Sequence, residues 1–208
     1  MPYGLYISAE GAHAQSKRLE VIANNLANVD TVGFKRDLAV FQARYAEAIQ
    51  EGLMPPNEGR LEDVGGGVEF LETKTDFAPG PLKHTQQKTD VAIEGDGFFA
   101  LTNGTDMFYI RAGALALDRD FNLVNPNGLF VQGFQLDAAG NIVLDAGGDP
   151  ILENIVISPN YYGITVDKNG VIVGIDKVTG DRDILGQVAL ATFPNERGLE
   201  KNGQNTYI

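Results

Sequence analysis

Residues Tyr3 to Val29 read YGLYISAEGAHAQSKRLEVIANNLANV, and within them Leu5, Ala12, Leu19 and Leu26 recur every seven residues. Ser8, Gln15, Ile22 and Val29 keep the same interval three positions further on. A seven-residue apolar repeat marks a helix with one narrow seam. Pro2 suits a first helical turn, where its missing N–H costs nothing, and the Asp30-Thr31-Val32-Gly33 segment supplies a stop. The spacing therefore predicts a helix over 3–29, roughly 40 Å long at a rise of 1.5 Å per residue. Its first half carries Ala9, Gly11, Ala12 and Ala14, small side chains that permit close backbone approach. Such a helix is marginal alone in water, so the seam is expected to require a partner. A helix folded back on its own β domain is the other reading, and spacing leaves it open.

Outward from this segment the pattern changes twice. Leu38, Phe41, Tyr45 and Ile49, spaced by three or four, predict a second helix ending near Gly52. Pro55-Pro56 and Gly65-Gly66-Gly67 then mark an irregular connector. From Val68 onward, short apolar and β-branched runs alternate with Gly, Asn and Asp turns, which predicts strands. Leu117 to Phe121, Leu136 to Gly140 and Val166 to Gly170 share a turn spelling, each before a short apolar run, and are read as hairpins. The expected organisation is an N-terminal helix over 1–34, a helical or irregular connector over 35–67 and a β domain over 68–208. The fold class is mainly β with a long N-terminal α-helix. The β domain is expected as an irregular sandwich or barrel-like body of short antiparallel strands.

Composition narrows the function. The formal net charge is −12 with no run of Lys or Arg, which argues against nucleic acid or an anionic membrane surface as partner. Residues 1–36 carry a net of +1, from Lys17, Arg18, Lys35 and Arg36 against Glu10, Glu20 and Asp30, leaving −13 for the rest. The absence of cysteine removes disulfides and thiolate metal sites. The N-terminus lacks the basic start and continuous apolar run of a secretory signal, and no stretch is long enough to span a bilayer, so membrane insertion is not expected.

Three motifs suggest chemistry and then fail on context. Gly95-Asp96-Gly97-Phe98-Phe99-Ala100 has dinucleotide-fingerprint spacing, yet Phe98 to Thr102 reads as strand where the phosphate site needs a helix N-terminus. Asp118-x-Asp120-x-Asn122 opens like a calcium loop, but the sixth and twelfth positions are Leu123 and Leu129 instead of Gly and Glu. His13 and His84 have no ligand-spaced companions, and no serine sits in a nucleophile elbow. No catalytic, cofactor or metal residue is assigned, and the chain is not expected to be an enzyme. Enzyme candidates would have to come from Glu94, Asp96 and Asp118.

Ala23-Asn24-Asn25-Leu26-Ala27-Asn28-Val29-Asp30-Thr31-Val32-Gly33-Phe34-Lys35-Arg36 resembles the signature of the bacterial flagellar rod and hook family. Asp90 to Leu101, the segment from Tyr109 through Asn127-Gly128, and Gly186 to Ile208 resemble the same family in the same order. The resemblance implies a structural subunit of the basal-body rod, proximal or distal. It is exported without a cleaved signal and polymerises into the axial tube that transmits torque for motility. Its implied partners are copies of itself, other axial rod and hook proteins and the flagellar export apparatus, with no cofactor. The implied subunit-contact residues are Leu5, Ala12, Leu19, Ile22, Asn24, Asn25, Leu26, Asn28, Gly33, Phe34 and Lys35. The asparagines either link subunits or cap the helix end. Gly33 provides a sharp exit, Phe34 an apolar anchor, and Lys35 and Arg36 the solvent or subunit-contact side. A C-terminal return helix expected of the family is not found before Ile208, as in a shortened chain or an unusually short member. The alternatives are a hook-type axial subunit or a β-domain binding module with no role in assembly.

Overall fold

A computed structural model describes residues 2–45, 65–137 and 140–208. The chain divides into two units, Met1–Thr31 with Lys35–Ala78, and Val32–Phe34 with Pro79–Ile208. The first unit opens with helix α1, Pro2–Ala27, whose alanines, leucines and straight-chain polar residues favour helix and outweigh Gly4 and Gly11. It ends in turns closed by the N–H groups of Asn28, Val29 and Thr31 on the carbonyls of Asn24, Leu26 and Asn28.

The expected second helix is a correction. Leu38 and Phe41 lie in strand β1, Asp37–Ala43, which pairs antiparallel with β2, Val68–Thr75. Tyr45 follows that strand, and Ile49 lies outside the described residues. Leu38-Ala39-Val40-Phe41 satisfies either period over so short a run, and the choice falls to the partner strand some 25 residues away along the register Asp37↔Thr75 to Ala43↔Val68. Phe41 and Phe70 lock the hairpin edge-to-face, with ring centroids 5.9 Å apart. Thus β2 belongs with the helix unit, not with the β domain expected from residue 68. The helix covers this hairpin with Ile7, Gly11, Ala14 and Val21, of which Ala14 is only 6% exposed. Arg44 adds ion pairs to Glu69 at 3.6 Å and Glu10 at 3.9 Å.

The second unit is an open antiparallel sheet with side branches, not a closed barrel. Its strands are β3 (Phe98–Thr102), β4 (Met107–Ile110), β5 (Ala116–Leu117), β6 (Leu123–Val124), β7 (Phe130–Phe134), β8 (Leu152–Asn154), β9 (Tyr161–Val166), β10 (Val171–Asp176), β11 (Arg182–Val188), β12 (Leu190–Ala191) and β13 (Thr206–Tyr207). The main path runs β13-β4-β3-β7-β11-β10-β9, with β12 added to β3, and β6 and β8 added to β7. Phe99, Leu101, Ile110, Leu123, Val131, Ile157, Ile172 and Val188 form the core. Phe98 extends it by edge-to-face contacts with Phe193 and Tyr207.

One local device repeats through this unit. In the three turns read as hairpins, the leading aspartates Asp118, Asp137 and Asp167 turn a side-chain oxygen onto N–H groups of the same turn. The same wiring recurs at Asp145, which accepts from Gly147 and Asp149, and at Asn125, which accepts from Asn127 and Leu129. Each side chain supplies the acceptor that a short turn lacks, which is why Asp or Asn leads every one. In Asp118 the bond from the Asn122 side chain holds the carboxyl below its ordinary range, and in Asp145 the N–H of Asp149 does the same.

Candidate functional site

The seam residues of α1 are exposed. Leu5 is 76%, Leu19 66%, Ile22 50% and Leu26 69% exposed, Val29 continues the line at 72%, and Ala12 is open as well. The face that covers the hairpin belongs to a second line, Ile7, Ala14 and Val21, also spaced by seven. It lies two residues out of phase, about 200° around the helix. One helix therefore carries two apolar faces. The hairpin takes one, and nothing in the first unit covers the other among the described residues. The hairpin of the first unit leaves Leu5, Leu19, Ile22 and Leu26 exposed.

The asparagines divide by role. Asn28 donates its side-chain amide to the Asn24 carbonyl at 2.9 Å, capping the helix end. Asn25 makes a reciprocal pair with β1, donating to the Asp37 carbonyl at 2.8 Å and accepting from the Asp37 N–H at 2.9 Å. Asn24 remains exposed. Capping and tying the helix to its hairpin thus account for two of the three amides.

Gly33 and Phe34 belong to the second unit. Gly33 has φ +69°, and a Cβ placed on it would stand 2.5 Å from the Ala112 nitrogen and 2.7 Å from its Cα. Only glycine fits both the turn and that approach. Asn205 donates to the Val32 carbonyl at 3.0 Å, and the Lys201 ammonium lies 4.9 Å from the centre of the Phe34 ring. The Val32–Phe34 segment is therefore held by the β unit through three separate contacts.

Lys35 requires a correction. It was expected on the solvent or subunit-contact side, but it is 5% exposed, and its ammonium donates to the carbonyls of Phe77 and Ala78 at 2.9 Å each. A buried ammonium persists only with such acceptors, so this lysine fastens the exit of β2. Its neighbour Arg36 does face outward, its Nε and Nη2 both donating to the Oδ2 of Asp76 at 2.9 and 2.8 Å. The N–H of Ala78 and then Arg36 hold the Asp76 carboxyl below its ordinary range. Sequence gave no sign of Lys35's burial, since its acceptors lie on a backbone more than forty residues away.

The chemical-looking motifs resolve into structure. Residues 91–94 join no strand, and the Val91 N–H donates to the Gly113 carbonyl at 2.9 Å. Gly95-Asp96-Gly97 turns directly into β3, and Arg111 donates to the carbonyls of both glycines while its guanidinium stacks over Phe98 at 5.6 Å. The turn presents carbonyls to a cation, the reverse of a phosphate cradle. Asp118 is engaged by its own turn, and among the described residues no three His, Cys, Asp or Glu side chains gather in a metal-binding group. No helix among the described residues is long and apolar enough to cross a membrane.

Comparison with known proteins agrees with this layout. Residues 5–35 match the model of the flagella basal body rod protein family, and residues 92–174 match the D1 domain model of flagellar hook protein FlgE/F/G. The chain is 35% identical to the flagellar basal-body rod protein FlgG of Buchnera aphidicola subsp. Acyrthosiphon pisum, an alignment covering 98% of this chain and 72% of that protein. It is 32% identical to the corresponding FlgG of Agrobacterium fabrum, again over 98% of this chain and 72% of the relative. The flagellar hook protein FlgE of Borreliella burgdorferi is 35% identical over 76% of this chain, which spans just 36% of that longer protein. With the rod model on the helix, the D1 model on the sheet and rod proteins aligned along nearly the whole chain, this chain belongs to the flagellar basal-body rod protein family and is a structural subunit of the rod.

Proposed function

We propose that the subunit works by polymerisation, with the exposed stripe of α1 as the surface through which it meets copies of itself and other axial rod and hook proteins. The observation that carries this reading is the double-faced helix: Ala14 is buried under the hairpin while Leu5, Leu19, Ile22 and Leu26 stand in water. Burying a leucine side chain is worth about 2 kcal/mol, so four such positions supply several kcal/mol per contact before association costs. In a tube each subunit repeats that contact with several neighbours, which converts a modest pairwise gain into a stiff assembly able to carry torque. Asn24 adds an exposed donor and acceptor. Asn25, Asn28 and Lys35 serve the subunit's own fold, and Gly33 and Phe34 seat the signature on the β unit. No catalysis is required. Passage through the flagellar export apparatus without a cleaved signal suits a protein whose N-terminal helix must be kept for assembly.

Leu19→Asp with Leu26→Asp tests this directly. Both positions are exposed, so the melting temperature of the isolated subunit should stay within the change of about 0.5 kcal/mol expected at a surface site. Rod assembly, followed by electron microscopy of basal bodies, and swimming in a complemented strain should both be lost. Normal rods and motility in the double variant would overturn the assignment of this stripe.

A further inference from the structure

The chain contains four Asn-Gly dipeptides, at 103–104, 127–128, 169–170 and 202–203. In each the glycine nitrogen is placed by covalent geometry to attack the preceding side-chain amide, and all four asparagines are exposed. The fold separates them. The N–H of Gly104 donates to the Thr102 hydroxyl at 3.0 Å, that of Gly128 to the Asn125 carbonyl at 3.0 Å, and that of Gly170 to the Asp167 carbonyl at 3.1 Å. Among the described residues the N–H of Gly203 donates to no protein group, although its carbonyl accepts from both the Thr206 N–H and hydroxyl. The nucleophile is tied down at three sites and free at the fourth.

We propose that Asn202 is a site of self-modification, at which the subunit acquires an isoaspartate as it ages. The Gly203 nitrogen loses its proton and bonds to the Asn202 side-chain carbonyl carbon, which expels the amide nitrogen as ammonia and closes a succinimide. Water then opens the ring at either carbonyl, giving aspartate or isoaspartate. Each product carries one negative charge that asparagine lacks, and isoaspartate adds a carbon to the main chain. The site sits at the base of a tight turn whose Gln204 and Asn205 both take positive φ, 48° and 62°. That turn holds Val32 through Asn205 and receives the Asn127 amide at the Gln204 carbonyl at 3.2 Å. A lengthened backbone at residue 202 loosens both bonds.

The test is incubation of the native full chain at mildly alkaline pH, followed by peptide mapping with isoaspartyl methyltransferase labelling. Holding a glycine N–H in its turn bond lowers reactivity by roughly five- to tenfold, so isoaspartate at 202 should accumulate faster than at 103, 127 or 169 by that factor. In denaturant the four rates should converge, and Asn202→Gln should abolish labelling at that peptide alone. Equal or faster reaction at any other site in the folded chain would overturn the proposal, as would a lead at 202 that persists unchanged after denaturation.

Discussion

The two units handle apolar surface in opposite ways. In the β unit Leu101, Val131 and Ile172 are fully enclosed, and the turns that join the strands satisfy their own backbone with Asp and Asn side chains. In the helix unit one side of α1 is used on the hairpin, and its leucines on the other side are left in water. A core closed on itself makes a stable subunit. An amphipathic helix with a spare face makes a joint. The contrast separates folding from assembly within one chain, so each should respond to its own set of substitutions.

Leu101→Ala strikes the closed side hardest. Leu101 is fully buried at the centre of the sheet, so removing it should cost about 2–5 kcal/mol by lost transfer and cavity formation. Calorimetry should show the β unit melting earlier while α1 helicity at low temperature is unchanged. A common fall of both signals would break the comparison. Gly33→Ala tests the seating of the signature segment. The added Cβ meets the Ala112 backbone at a φ that disfavours alanine, and about 1–3 kcal/mol of destabilisation should appear in urea titration. Little change would mean that this contact relaxes freely.

Lys35→Met keeps the length and apolar stem but removes the donor, leaving the Phe77 and Ala78 carbonyls without that bond. It should destabilise the helix unit by about 1–3 kcal/mol, read as faster amide exchange in β1 and β2 than in the β unit. The smallest effect is expected at Asp118→Asn, where the new side-chain oxygen still accepts from the turn. Asp118 has its carboxyl pKa lowered by Asn122 and its turn N–H groups, so its stabilisation is present above the ordinary carboxylate value of about 4. It is lost as pH falls through the lower folded value. The variant should melt slightly below the parent near neutrality and converge on it below about pH 4, a shallower loss of melting temperature in acid. An identical acid profile would remove Asp118 from the account.

Much of this was legible in the residues because it rests on local rules. A seven-residue repeat specifies a helix and its stripe wherever the chain is placed, and an aspartate leading a short turn supplies its own acceptor. The fourth aspartate turn at Asp145 and the Asn125 turn used the same signal and could have been read from it. Other features depended on distant partners. β1 became a strand because β2 pairs with it, and Lys35 was buried because two carbonyls beyond β2 receive it.

By itself, then, the sequence determined the helix, the turn chemistry and the family signature, all of which depend on neighbours a few residues apart. Tertiary structure alone decided which of two equally spaced apolar lines on α1 turned inward, because Ala14 and Val21 rather than Leu19 and Leu26 meet the hairpin. It also decided which Asn-Gly pair keeps a free nucleophile. The first choice turns on contacts between segments far apart in the chain, of which periodicity carries no record, and the second on whether a local turn bond reaches the glycine N–H.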